Sequence, residues 1–158
     1  MPTTSPRIAP YDAVVLITGG ARGIGAATAS LFAAQGAKVW IGDVDHDVAV
    51  TTAAGISRAA ALPLDVTDRD SWRAAVDTVL EADGRIDVLI NNAGIMPLGA
   101  FADESDATTD LILDVNVRGM LAGMRTVVPH MVARGRGHVV NVASMAGMIP
   151  IPGMVTYN

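Results

Sequence analysis

The chain reads as a three-layer α/β protein, a doubly wound parallel sheet with helices on both faces. Three observations predict this. Short apolar runs rich in branched residues recur along the 158 residues. Such runs suit strands buried on both faces of a parallel sheet. Alanine-rich or amphipathic stretches of helical length separate them, and strict alternation implies right-handed crossovers. Finally, a glycine-rich turn, Gly19 to Gly25, lies between the first apolar run and the first helical stretch.

Residues 1–12 read as a loose leader, and residues 13–158 as one nucleotide-binding domain. Ala13 to Thr18 is the first strand. A helix runs from the glycine turn to about Gln35 and stops at Gly36. Ala37 to Gly42 is the second strand, Asp47 to Ala54 a short helix closed by Gly55, and Ala59 to Leu64 the third strand. Thr67 is expected to cap the next helix, with Asp70 three residues on. That helix reaches Ala82, before Gly84. Ile86 to Ile90 is the fourth strand, and a loop holds Asn91 to Gly99. One long helix is expected over Glu104 to Ala133. Its apolar stripe is Leu111, Val115, Met120, Met124, Val127 and Met131, and Pro129 should bend or fray its last turn. His138 to Val142 is the fifth strand, followed by a loop rich in Met, Pro and Gly.

Composition narrows the function. Hydrophobic residues make up 51% and charged residues 17%, which suits a packed globular domain. A net charge of −5 repels phosphate backbones and anionic lipid, so neither nucleic acid nor a membrane surface is an expected partner. No apolar run is long enough to span a bilayer, and the absence of cysteine excludes thiolate chemistry. His46, His130 and His138 are too dispersed for a metal site. The cytoplasm is the default compartment.

The strongest local signal is Thr18-Gly19-Gly20-Ala21-Arg22-Gly23-Ile24-Gly25. Small residues let the backbone turn sharply and approach a pyrophosphate, which the amides and dipole of the following helix attract. Asp43, at the end of the second strand, can accept hydrogen bonds from ribose hydroxyls and would repel a 2′-phosphate. Arg22 pulls the other way, since a cation there could hold that phosphate. Position favours Asp43, hence NAD over NADP. The GK[ST] ending of a nucleotide-hydrolase loop is absent.

This T-G-x-x-x-G-x-G spacing, with the segments that follow it, resembles the short-chain dehydrogenase/reductase family. Asp65-Val66 is similar to that family's adenine contact. Asn91-Asn92-Ala93-Gly94 matches its N-N-A-G motif, and Asn116 its mid-helix asparagine. Ser144 and Tyr157 stand 13 residues apart, the family interval. The resemblance covers about Ala13 to Asn158 and implies a Rossmann-like fold. The cofactor residues it implies are Gly19, Ala21, Arg22, Gly23, Ile24, Gly25, Asp43, Asp65, Val66, Asn92, Ala93 and Gly94.

The implied chemistry is hydride transfer between NAD(H) and an alcohol or ketone. Tyr157 would be the general acid/base, Ser144 would steady the substrate oxygen, and Asn116 would hold a relaying water. A tyrosine titrates near about 10, so it needs a cation beside it to ionise at neutral pH. The family supplies a lysine four residues later, which here would be the third position beyond Asn158. Lys38, the single lysine, lies on the second strand and cannot replace it.

The resemblance therefore implies a domain without the family's C-terminal strands, helices and substrate loop, either a piece of a complete enzyme or a shortened chain. Retention of Ser144 and Tyr157 favours the first. It also implies that Val139, Val140 and Val142 lie at an open sheet edge and that the long helix lacks a neighbour. Two other readings stay open: a non-catalytic NAD-binding module, and an α/β protein using the same turn for another ligand such as a methyl donor. Met96, Pro97, Leu98, Met145, Met148 and Met154 are candidates for an apolar substrate pocket, and a full-length relative is expected to be a dimer or tetramer.

Overall fold

The computed structural model describes residues 8–158. Five strands form one sheet: β1 (Val14–Thr18), β2 (Lys38–Asp43), β3 (Ala59–Pro63), β4 (Val88–Asn91) and β5 (His138–Asn141). Their order is β3-β2-β1-β4-β5 and every pairing is parallel. Helices α1 (Gly23–Ala34), α2 (His46–Ala54), α3 (Arg69–Asp83), α4 (Asp106–Leu113) and α5 (Met120–Ala133) provide the crossovers. The chain reverses direction across the sheet between β1 and β4, and crevices at such switch points are where ligands bind in open α/β sheets.

Alternation along β1 builds the three layers. Val14 and Leu16 face one core, with Trp72 and Val76 of α3 and Val127 and Met131 of α5. Val15 and Ile17 face the other, with Ala29 and Ala33 of α1 and Ala49 and Ala53 of α2. All five β1 residues are buried, which is why its sequence is continuously apolar up to Thr18. Alanines on α1 and α2 let those helices lie close to the sheet. On the opposite face α5 packs tightly against α3. A Cβ on Gly123 of α5 would sit 2.5 Å from Cη2 of Trp72, whose indole N–H donates to the Val66 carbonyl at 3.0 Å.

Several expected boundaries move. Residues 1–7 of the expected leader lie outside the described residues. Its end is not loose: Ile8 packs against the α1/α2 core, and Arg85 Nη2 donates to the Asp12 carbonyl at 2.7 Å. Asp68, not Thr67, caps α3 by accepting the Asp70 N–H at 2.9 Å. Thr67 is already committed to Asp65, whose Oδ1 accepts both its N–H and its hydroxyl. β4 starts two residues late, at Val88, and takes in Asn91. Asp87 just before it still bonds both neighbours, its N–H donating to the Val14 carbonyl at 2.8 Å and its carbonyl accepting the His138 N–H at 2.9 Å.

The expected long helix begins at Asp106, with Ser105 as its cap, and carries through Pro129 to Ala133 without ending there. It is not uniform. Residues Asp114–Gly119 form a π-helical segment between α4 and α5. Of the expected stripe, Val127 and Met131 are buried, whereas Leu111 is half exposed. β5 is an edge strand, with Val139 and Val140 half-buried and Val142 exposed.

Candidate functional site

The C-terminal ends of β1, β2 and β4 and the N-terminus of α1 enclose a cleft of about 660 Å³. Gly19, Gly23, Asp43, Asp65, Asn92 and Gly94 are among the residues that line it. Arg22, Ile24, Val66 and Ala93 line it too, so ten of the twelve proposed cofactor residues share one wall. Ala21 and Gly25 do not. The Ala21 N–H is spent on Asp43 Oδ2 at 2.9 Å, and the residue is buried. Gly25 faces inward: a Cβ there would lie 2.3 Å from the Gly19 carbonyl and 2.7 Å from Asn92 Nδ2. Both shape the turn rather than the cleft surface.

The turn is braced from β4. Thr18 Oγ1 accepts the N–H groups of Asn92 and Ala93, each at 3.0 Å. Asn92 Nδ2 donates back to the carbonyls of Thr18 and Gly19, also at 3.0 Å. Thr18 is buried, so its hydroxyl does no surface work; it fixes two strand ends against each other. Thr18 is not among the residues the family resemblance implies; its one signal in the sequence is that a polar residue ends a wholly apolar strand.

Arg22 precedes α1 but gives it no side-chain cap. Among the described residues, the first-turn amides of α1 therefore have no intrahelical or capping acceptor. Gly23, at φ +55°, has nothing within 4 Å of where a Cβ would be, so the mouth of the turn is open. Amides of this kind, at the positive end of a 12-residue helix, can hold an anion. Asp43 accepts from Ala21 N–H through Oδ2 and from Asp45 N–H through Oδ1 at 3.0 Å. Asp43 also lines the cleft. Arg22 does not reach into it as a free cation: Nη1 pairs with Asp45 Oδ2 at 2.6 Å. Hydrogen bonding and charge from Asp45 push the Arg22 pKa up, with a smaller contribution from Asp43.

Asn116 sits in the π segment, next to the cleft rather than in it. Its Oδ1 accepts the Ile95 N–H and its Nδ2 donates to the Ile95 carbonyl, both at 2.9 Å. The amide therefore takes the place of a strand partner for the loop after β4. The wide turn of the π-helix is what allows a mid-helix side chain to reach that loop. With Thr18, Asn91 and Val142, Asn116 also lines a cavity of about 20 Å³, large enough for one water. Asn91 Nδ2 donates to Asn141 Oδ1 at 2.9 Å, linking the ends of β4 and β5.

Ser144 and Tyr157 lie on the segment after β5 and do not line the cleft. Ser144 Oγ accepts the Ala146 N–H at 3.1 Å, capping a short 3-10 turn. The segment carrying Tyr157 is tied to the loop after β4 in two places. Gly99 N–H donates to the Gly153 carbonyl at 3.0 Å, and the Thr156 hydroxyl donates to Glu104. Thr156, then Thr109, hold the Glu104 carboxyl below its usual pKa. The proposed apolar pocket is not enclosed: Met96, Leu98, Met145 and Met148 are exposed, and none lines the cleft. Among the described residues there is no group of three or more potential metal ligands, and no helix long and apolar enough to cross a membrane.

Comparison with known proteins agrees with this geometry. The family model described as short chain dehydrogenase matches residues 13–158. The chain belongs to that family. It is 40% identical over 150 residues to cyclopentanol dehydrogenase of Comamonas testosteroni, covering 92% of this chain and 60% of that protein. It is 43% identical over 136 residues to 3-alpha-(or 20-beta)-hydroxysteroid dehydrogenase of Mycobacterium tuberculosis, covering 85% and 52%. Among solved structures, 3-ketoacyl-(acyl-carrier-protein) reductase from Brucella melitensis complexed with NADH superposes with a TM-score of 0.88 at 36% identity, covering 92% of this chain and 62% of that one. A short chain dehydrogenase/reductase from Burkholderia phymatum in complex with NAD gives 0.90 at 31%, covering 96% and 56%. The chain thus spans about 60% of the length of the curated relative from Comamonas.

Proposed function

We propose that this chain binds NAD(H) in the β1/β4 cleft and belongs to an oxidoreductase that interconverts an alcohol and a ketone. The observation that carries the reading is the pairing, in one cleft, of open first-turn amides on α1 with the Asp43 carboxylate at the end of β2. The amides suit a pyrophosphate, and Asp43 suits vicinal ribose hydroxyls while repelling a 2′-phosphate. Val66 and Asp65 would flank the adenine, and Asn92, Ala93 and Gly94 would border the cofactor beyond the pyrophosphate. NAD when bound supplies the hydride acceptor.

The chain's own residues would handle the proton and the orientation. Tyr157 is proposed as the group that takes the alcohol proton and Ser144 as the donor that steadies the substrate oxygen. Asn116 is proposed to hold a water next to them. Its amide keeps one donor and one acceptor position beyond those given to Ile95. Relatives named for cyclopentanol and hydroxysteroids support a cyclic, largely apolar alcohol as substrate.

Fluorescence titration tests the cofactor assignment. NADH is expected to bind at least about tenfold tighter than NADPH, a difference of about 1.4 kcal/mol. Asp43→Ala should narrow that gap. Preference for NADPH in the unmodified protein, or no binding of either, would refute the assignment. For the chemistry, Tyr157→Phe should abolish alcohol-dependent NAD reduction while leaving NADH affinity unchanged. A longer protein that carries this domain and the lysine four residues after Tyr157 yet is inactive on cyclic secondary alcohols, or a Tyr157→Phe form of it that still turns over, removes the proposed role.

A further inference from the structure

Arg22 and Asp45 each stand where local physics would choose another arrangement. Arg22 is the N-cap of α1, a position that favours Ser, Thr, Asp or Asn and disfavours a cation beside the positive end of the helix. Asp45 is the N-cap of α2, where an aspartate ordinarily accepts an amide of the first turn. Its side chain accepts none. It is committed instead to Arg22, 23 residues earlier, with Nη1 donating to Oδ2 at 2.6 Å. Both side chains are more than half exposed. An ion pair that open to water stabilises a fold by no more than the cap that Asp45 forgoes. Stability therefore does not explain the pair, and positions that break a local rule without such a gain are those expected to serve function.

The pair stands beside Asp43. Asp43 Oδ1 accepts the Asp45 N–H at 3.0 Å, which fixes the backbone that carries the Asp45 carboxylate. Asp43 Oδ2 accepts the N–H of Ala21, the residue before Arg22, at 2.9 Å. Arg22, Val44 and Asp45 line both the β1/β4 cleft and an adjoining hollow of about 390 Å³. Among the described residues, Arg22 is the single arginine or lysine on the walls of either, alongside Asp43, Asp45, Asp47 and Asp65.

We propose, resting on the NAD(H) reading of that cleft, that Asp45 is a second specificity-determining residue, which withholds Arg22 from a 2′-phosphate. Asp43 rejects that phosphate by repulsion. Arg22 carries the planar fork that would accept it. Asp45 occupies the fork and sets its own charge beside it, so a 2′-phosphate meets two carboxylates and a neutralised cation. NAD places no charge there, so its binding is left unaffected, and discrimination arises from what the chain denies to the competitor.

Fluorescence titration with NADH and with NADPH tests this in Asp45→Asn, Arg22→Gln and the combined variant. Asparagine is an equally good N-cap, and Asp45→Ser is a second uncharged cap; circular dichroism checks that each variant is folded. Asp45→Asn should bind NADPH about fivefold tighter than the parent, while NADH affinity stays within about twofold. The gain should vanish when Arg22→Gln is added and shrink at high salt. Arg22→Gln alone should leave NADPH affinity within about twofold of the parent, because the guanidinium is already engaged. A purely structural role for Asp45 would move both coenzymes together and would not depend on Arg22. The proposal is overturned by a parent that binds NADH while neither Asp45→Asn nor Asp45→Ser gains NADPH affinity. A gain that survives Arg22→Gln also overturns it, since lost repulsion then explains the whole effect. A parent that binds neither coenzyme removes the cleft reading itself, and the role of Asp45 with it.

Discussion

Asp87 should be among the residues least tolerant of substitution in this chain, although it is remote from the cleft. It is fully buried just before β4. Its Oδ2 accepts the Val14 N–H at 3.0 Å and Arg85 Nε at 2.9 Å, while Oδ1 faces Arg134 at 3.3 Å. Burial alone would raise the Asp87 pKa, but the Val14 N–H and the arginines outweigh it and hold the value below the ordinary one. Removing the carboxylate with Asp87→Ala strands the buried Val14 N–H, at about 1–3 kcal/mol. It also ends the charge-assisted bond to Arg85, at about 1.5–3 kcal/mol. Arg85 and Arg134 are each about a third exposed and can rehydrate, so the combined loss falls near the low end of the ~3–5 kcal/mol seen when a buried pair is broken.

A cost of about 3 kcal/mol in a domain of this size lowers Tm by roughly 6–12 °C. Asp87→Asn keeps an acceptor for Val14 and should recover about 1 kcal/mol. Because the folded pKa is depressed, the stabilisation is present above the unfolded value and lost as pH falls through the folded one. The gap between parent and Asp87→Ala should therefore shrink below pH about 4. Thermal and urea denaturation across pH measure it. An Asp87→Ala protein melting within about 2 °C of the parent, or a gap insensitive to acid, would refute the reasoning.

Gly25→Ala forces a methyl to within 2.3 Å of the Gly19 carbonyl. It should cost about 2 kcal/mol or more and weaken NADH binding over tenfold, measured by urea denaturation and fluorescence titration. Gly123→Ala drives a methyl into Trp72, and should cost about 1–3 kcal/mol with a change in tryptophan emission. Asn116→Ala removes both hydrogen bonds to Ile95, at about 2 kcal/mol, and hydrogen exchange in residues 92–99 should accelerate selectively.

The β1-to-β4 layout was legible because β1 and β4 are wholly buried and β2 is buried over its centre, so they read as continuous apolar runs, and each helix between them ends near a glycine. The cleft was largely legible for a related reason: small residues are compulsory where backbone approaches a ligand. Other features were hidden because they are settled by tertiary contacts. Nothing in the local pattern says that Ala21 and Gly25 turn toward protein while Gly23 faces outward. The π segment was not legible, because nothing in the residue pattern marks where a wide turn inserts and rotates the apolar stripe, leaving Leu111 exposed while Val127 and Met131 are buried. Thr67 was the expected cap of α3; Asp68 takes that place instead, and Thr67 is held by Asp65, a choice that composition does not reveal.

The reciprocal bonds among Thr18, Gly19, Asn92 and Ala93 carry a consequence for how the cleft meets a ligand. They lock its floor into shape from within the chain, so little conformational freedom remains to be lost when a guest arrives. Affinity at this floor should therefore show in slow departure rather than in slow, remodelling-limited entry. Substitutions at Thr18 and Asn92 should also prove strongly non-additive, since either one alone releases the same joint.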